Sequence, residues 1–265
     1  MEVMSKLNEI IGKYGVEKLN TLTKYPSIMT YHNLGEKGSL VESLVNDKDF
    51  SSFDNCYVTE KIDGTNARII FDGEDYVIGS REELLFAKGD RFGNPQLNIV
   101  NTIKALADKL EKPAFDELWI MFGEVYGGNV TSASKQYTKD KTFGFRLFDI
   151  AQVDLGILDE PLEKISSWRE RGGQKFMDVD TIKLFAGEYG IETVPYITMI
   201  DGKKLPTDRV GMLAYLLQSF KDTQAGINAN GKAEGIVVRT HDRSLIRKIR
   251  FEDYERTAKR EKWEV

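Results

Sequence analysis

The strongest constraint on the fold lies between Ala67 and Gly79. Two apolar runs, Ala67–Phe71 and Tyr76–Gly79, flank Asp72-Gly73-Glu74-Asp75, which is the pattern of a β-hairpin closed by a polar, glycine-bearing turn. The same kind of signal recurs from Tyr57 onward. Leu118–Val125 and Thr142–Ile150 are rich in aromatic and aliphatic residues, and Ala233–Thr240 and Leu245–Arg250 also read as strands. Helical signals are inserted between them. Ile99, Ile103, Leu106 and Leu110 share one face of Asn98–Leu110. Asp180 is expected to cap a helix running to Tyr189, and Asp208–Phe220 forms another, with Gly190 and Pro206 as punctuation. Glu2–Tyr14 carries an apolar stripe of Val3, Leu7, Ile10 and Ile11, Lys24–Gly38 is loop and short strand, and Phe251–Trp263 is a charged terminal helix. Hairpins with helices between them predict an α+β fold of twisted, mostly antiparallel sheets flanked by helices. No repeat or linker interrupts the chain, so one domain is expected over 1–265, with a helix-and-loop segment (1–56) packed on a core (57–265).

Composition narrows the function classes. The chain has 265 residues, 41% hydrophobic and 30% charged, which is enough for a packed core and argues against disorder. Its apolar runs fall short of a membrane span, and the opening MEVMSKLNEI lacks the basic start and apolar centre of a secretory signal. A single cysteine, Cys56, allows no internal disulfide and points to a reducing cytoplasm. With only His32 and His241 in the chain, a histidine-built zinc site and multi-histidine catalysis are set aside. A metal would be held by carboxylates and phosphates, which suits Mg²⁺ or Mn²⁺. A net charge of −5 does not fit a generally basic nucleic-acid coat, though it leaves room for a local basic patch.

The segment VTEKIDGTNAR, Val58–Arg68, breaks the strand pattern with charges, a glycine and small polar residues. Either it is an exposed turn with a solvated lysine, or the backbone presents Lys61 for chemistry. A lysine amine with its ordinary pKa of about 10.4 is protonated and cannot attack. Partial burial or a neighbouring cation would favour the neutral nucleophile. Gly64 allows a close backbone approach, and Thr65 and Asn66 carry groups able to hydrogen-bond a ribose. Four further segments follow. FGEVYGG presents Glu124 between glycines, and AEGIVVR places Glu234 just before a glycine and an apolar run. FRLFDI puts Phe148 and Asp149 on opposite strand faces, and LIRKIR carries Lys248 and Arg250 on one face. Each has a plain alternative: core for Phe148, strand-end solubilisers for Glu124 and Glu234, a sheet-edge guard for the cations. All five in this order are much harder to obtain by chance.

KIDGTN, FGEVYGG, FRLFDI, AEGIVVR and IRKIR together resemble the ordered motifs of the covalent nucleotidyltransferases, the superfamily of ATP-dependent DNA ligases, RNA ligases and mRNA capping guanylyltransferases. The K-x-D-G-T-N, FGE and FDI forms are most similar to the RNA ligase branch, and KYPSIMTYHNLGEKG is similar to a segment that precedes the lysine in some RNA ligases. The resemblance implies a nucleotidyltransferase domain in which Lys61 attacks the α-phosphorus of ATP, forms lysine–AMP and releases pyrophosphate. AMP then passes to a 5′-phosphate end, and a 3′-hydroxyl displaces it. In that scheme Lys248 and Arg250 supply phosphate-facing cations, while Asp63, Glu124 and Glu234 hold Mg²⁺ or Mn²⁺ directly or through water. Glu124 and Asn66 contact the ribose, Phe148 stacks on adenine and Val237 closes its other face. Glu60 and Ile62, which flank the lysine, join the nucleotide contacts, and Arg81 touches the ribose or the 5′-phosphate. The implied substrates are RNA ends, in a nicked duplex or a single strand and in RNA–DNA hybrids, with an accessory repair protein as an expected partner and no membrane.

The sequence departs from the family pattern at two points. The final basic motif is Lys248-Ile249-Arg250 where two lysines are common, with Arg247 as a rival cation. About fifteen residues follow it, so the oligonucleotide-binding-fold domain of DNA ligases and capping enzymes is not expected. Eight basic and four acidic residues between Arg243 and Lys262 make a local footprint for a phosphate backbone, or else an ordinary charged helix. The alternatives to an RNA ligase are a DNA ligase or capping-type enzyme, and a non-catalytic nucleotide- or strand-binding module on the same fold.

Overall fold

The structure is a computed structural model that describes residues 5–91, 98–110 and 118–264. Its elements begin with α1 (Lys6–Tyr14), α2 (Val16–Thr23), β1 (His32–Leu34), β2 (Leu40–Leu44), β3 (Cys56–Lys61) and β4 (Thr65–Phe71). They continue with β5 (Tyr76–Ser80), β6 (Leu84–Ala87), β7 (Asp90–Arg91), α3 (Ile99–Ala107), β8 (Leu118–Gly127), β9 (Phe143–Val153) and α4 (Leu162–Glu170). The last are β10 (Lys175–Phe176), α5 (Val179–Tyr189), β11 (Tyr196–Ile200), α6 (Arg209–Ser219), β12 (Gly235–Thr240), β13 (Ile246–Arg250) and α7 (Phe251–Glu261). The α+β class and the antiparallel sheets agree with the sequence pattern. No helix among the described residues is long and apolar enough to cross a membrane.

Two compact units emerge. The first comprises Met1–Ser27, Gly64–Thr131 and Phe143–Thr193. Its seven-stranded sheet runs β10-β9-β8-β4-β5-β6-β7, with every pair antiparallel. Ala67, Ile69, Phe71, Met121 and Ile150 pack on one face with Ile99 and Ile103 of α3 and Ile182 of α5. Ile70, Val77, Ile120 and Phe122 pack on the other with residues of α1, α2 and α4 such as Leu7, Leu22 and Ile165. Covering both faces explains why the central strands read as nearly continuous apolar runs. The turn at Asp72 forms as its sequence predicts. One carboxylate oxygen accepts from the amides of Glu74 (2.9 Å) and Asp75 (2.8 Å), and the other accepts from the Leu7 amide at 2.7 Å, next to the start of α1.

The cap of α5 differs from expectation. Asp178, not Asp180, accepts from the Thr181 amide at 2.7 Å, and Asp180 lies inside the first turn. An acid there still favours the positive end of the helix dipole, so both aspartates suit a helix start and only the backbone distinguishes them. α2, β2, β6, β7, α4, β10 and β11 are additional to the elements read from the sequence. α4 buries only Ile165 and Arg169, too little for an apolar stripe to show. The Glu2–Tyr14 helix is described only from Lys6, because Glu2 and Val3 lie outside the described residues.

The second unit comprises Ile28–Asp63, Ser132–Thr142 and Val194–Val265. Its sheet runs β11-β3-β12-β13, again antiparallel throughout. Cys56, Val58, Ile236, Val238 and Ile249 pack on one side with Met212, Leu216, Phe251 and Tyr254 of α6 and α7. Several cations of the Arg243–Lys262 stretch have internal work. Arg256 donates to Gly38 O and pairs with Glu252, Arg260 donates to Glu36 O and Ser39, and Arg247 donates to Val45 O. The charged helix α7 is thus tied to the β1–β2 region.

His32 is buried in this unit. Its Nε2 lies 2.8 Å from Thr207 O, which can only accept, so Nε2 carries the proton and Nδ1 accepts from the Tyr254 hydroxyl at 2.7 Å. Burial holds its pKa below the ordinary 6.5. The unfolded chain therefore binds more protons as pH falls through that value, and stability present above it is lost below it. The urea midpoint should drop between about pH 7 and about pH 5.5, and a His32→Gln variant, less stable at both, should drop by less. Equal drops would remove His32 as the cause.

Candidate active site

Alternation along β3 sorts the residues around the lysine. Val58 and Glu60 point to the packed side of the four-stranded sheet, and Thr59 and Lys61 to the other. Glu60 is 2% exposed. Its carboxylate accepts from Thr223 Oγ1 (2.5 Å) and from the amides of Gln224 (2.7 Å) and Ala225 (3.1 Å), so this side chain anchors the loop that leads to Glu234. Lys61 Nζ lies 2.5 Å from Glu234 Oε2, with side chains 26% and 18% exposed. Burial raises the Glu234 pKa, opposed by Lys61 and reinforced by Asp63 nearby. The Asp63 amide donates to the Tyr137 hydroxyl at 2.8 Å. Ile62, between Lys61 and Asp63, is buried.

Strand register sets the rest of this surface. Lys61 pairs with Gly235, which pairs with Arg250; Thr59 pairs with Val237, which pairs with Lys248. The lysine and Arg250 thus share one row, two strands or about 10 Å apart, with no side chain between them. A Cβ on Gly235 would lie 2.1 Å from Ile249 O, a backbone atom that cannot swing away, so only glycine fits. Val237 is half-buried, with buried residues on either side of it along β12. Arg250 holds Asp253 through two bonds of 2.9 and 2.8 Å. Arg247, the rival cation, points to the packed side, where burial lowers its pKa. Lys248 and Arg250 therefore share the face of Lys61.

The first unit carries the other candidates. The close approach at Gly64 is to its own sheet, where a Cβ would lie 2.4 Å from Val125 O. Asn66 pairs with Glu124, and Glu124 with Arg146, in one row across β4, β8 and β9. Arg146 was not singled out by its sequence; it pairs with Glu192 at 3.2 Å and donates to the Tyr126 hydroxyl. Phe122 pairs with Asp149 and Gly123 with Leu147, which leaves Phe148 as the extra residue of a β-bulge. The expected opposition of Phe148 and Asp149 does not hold. The Tyr25 ring meets Phe148 edge-on at 5.0 Å, and its hydroxyl donates to Asp149 at 2.5 Å. One inserted residue shifts the alternation and brings both side chains to Tyr25. Arg81 lies exposed after β5, 3.6 Å from Glu82.

The donor chemistry fits the groups implied by the motifs. Among the described residues no three His, Cys, Asp or Glu side chains gather as a metal cage. Mg²⁺ and Mn²⁺ need none, because one or two carboxylates complete their shell with water and phosphate oxygens, and Asp63 with Glu234 matches that demand. Asn66 Oδ1 is buried with no hydrogen-bond donor, the state of an acceptor shaped for a ligand hydroxyl.

The RNA ligase family model matches residues 54–260. The chain belongs to the RNA ligase family. Among curated proteins, none matches it. In solved structures it is similar to the RNA ligase of Naegleria gruberi. A mutant of that enzyme with ATP and Mn has a TM-score of 0.58 at 15% identity, over 89% of this chain and 58% of that one. The same enzyme with PPi gives 0.53 at 14%, over 89% and 64%. A mutant with AMP and Mn gives 0.56 at 15%, over 90% and 59%. At these identities the likeness concerns the fold, and this RNA ligase family member spans less than two thirds of the solved chains.

Proposed function

We propose that this protein is an ATP-dependent RNA ligase that joins a 3′-hydroxyl to a 5′-phosphate end through lysine–AMP and an adenylylated 5′ end. The observation that carries this reading is the Lys61–Glu234 pair at 2.5 Å, on a sheet face shared with Lys248 and Arg250. Lys61 attacks the α-phosphorus and pyrophosphate leaves; splitting the overall displacement in two lowers each barrier. Lys248 and Arg250 face the negative charge that develops on the phosphoryl oxygens. Asp63, Glu124 and Glu234 would hold a divalent ion, which when bound supplies further neutralising charge there. Asn66 and Glu124 take the ribose, and Phe148 and Val237 take the faces of adenine. Arg81 takes the ribose or the 5′-phosphate. Ile62 contributes from beside the lysine, and Glu60 through its backbone, because its carboxylate already serves Thr223, Gln224 and Ala225. ATP, AMP, PPi and Mn with the similar N. gruberi enzyme support these assignments. The lone Cys56 supports a reducing cytoplasmic setting, and the acidic chain suits ends that an accessory repair protein or a duplex already holds together.

This reading carries recognition of ribose and A-form shape at the joining end. Nicked duplexes that differ only in the last two sugars of the 3′-hydroxyl strand test this. Ribonucleotides there should support sealing at least about 10-fold faster than deoxyribonucleotides, while DNA and RNA should both serve as the 5′-phosphate strand. Equal sealing of an all-DNA nick would turn the reading towards a DNA ligase.

A further inference from the structure

We propose that Tyr137 is a positioning residue for the attack of Lys61, its hydroxyl holding the turn that carries the nucleophile against the segment that delivers Glu234. The inference rests on the reading of Lys61 as the adenylylated lysine.

The ladder of β3 ends where Lys61 pairs with Gly235, and pairing resumes only at Thr65, in another sheet. The Asp63 amide lies in this gap, and Tyr137, fully buried, accepts its hydrogen bond at 2.8 Å. The same residue reaches the opposite side of the ion pair through its main chain. Tyr137 O accepts from the amides of Ile227 (2.8 Å) and Asn228 (3.3 Å). Gln136 O accepts from the Gly231 amide at 2.9 Å, and Gln136 Oε1 from the Lys232 amide at 3.0 Å, two residues before Glu234. One short segment thus ties the turn after Lys61 to the approach of Glu234.

Lys61 must leave Glu234 to reach a phosphorus. A backbone that follows the side chain would waste the motion, because reacting atoms must meet within about 3–3.5 Å. The Asp63 tether holds the turn while the amine swings.

Tyr137→Phe keeps the ring in its packing and removes only the hydroxyl. At saturating ATP, AMP transfer to Lys61 should slow about 10- to 100-fold, with KM for ATP within about 3-fold and the Mg²⁺ requirement raised several-fold. Without any nucleotide, hydrogen exchange at the Asp63 amide should accelerate in the variant. Should Tyr137→Phe fail to fold, Gln136→Met carries the same test, loosening only the Lys232 amide: it should slow transfer about 3- to 10-fold with KM unchanged. A parent that is adenylylated, beside a Tyr137→Phe that matches its rate and Mg²⁺ requirement, overturns this inference alone. A parent that takes up no AMP overturns the lysine reading and this one with it.

Discussion

A Lys61→Ala variant is expected to take up no AMP from ATP, while the parent protein gains the mass of one AMP. Lys61 is the only lysine on its sheet face that lies at 2.5 Å from a half-buried carboxylate among the described residues, and it ends its strand in a row that runs through Gly235 to Arg250. Loss of a covalent nucleophile removes the step itself, so the drop should be roughly 10⁴-fold or more. Denatured protein incubated beforehand with ATP and Mg²⁺ or Mn²⁺, weighed intact by mass spectrometry, reads the result directly. Alanine at position 61 also leaves the half-buried Glu234 without its cation. The carboxyl then protonates more readily, so the variant should still fold, and thermal melting checks this. Labelling of the alanine variant at the parent level would move the nucleophile elsewhere.

Glu234→Ala is expected to lower lysine adenylylation by about 10²- to 10³-fold, the scale at which single preorganised electrostatic groups act. Two causes are combined in that loss. Glu234 orients the Lys61 amine, and in the proposed site it also faces the divalent ion. Glu234→Gln separates them. The amide keeps a hydrogen-bond acceptor for Lys61 at nearly the same shape, yet it loses the charge that a hard cation requires. If charge dominates, Gln should be nearly as slow as Ala, and raised Mn²⁺ should restore part of the rate in both. If orientation dominates, Gln should recover most of the activity at ordinary metal. Parent-like rates in both variants would exclude Glu234 from the machinery. A double variant with Lys61→Ala should behave as the lysine variant does, because groups acting as one unit are not additive.

Much of the fold was legible from local chemistry. Ala67–Phe71 and Tyr76–Gly79 announce a hairpin because apolar side chains and an Asp-Gly turn satisfy strand and loop demands within a dozen residues. The order of the five motifs, and with it the family, was legible for the same reason: each motif is a short strand or strand end whose residue types are set locally. Helix starts were legible only to within a residue or two. Asp178 and Asp180 are chemically equal candidates, and the backbone alone decided for Asp178.

What the chain could not declare locally was decided by register and by long-range partners. The bulge at Phe148 exists only because β8 pairs with β9 in one particular register, and that single extra residue brings Phe148 and Asp149 together at Tyr25, more than a hundred residues away in sequence. Arg247 and Lys248 are adjacent cations, yet strand alternation sends the first into the core and the second to the face of Lys61. Arg250 carries no sequence mark of its fork with Asp253. Tyr137 belongs to no motif, because what it provides is one hydroxyl at 2.8 Å from an amide seventy-four residues upstream. Sequence by itself determined the element types and the set of reactive groups, since both follow from side-chain chemistry and short-range periodicity. Tertiary structure decided which of those groups meet, since a contact between distant residues depends on how strands pair and not on what either residue is.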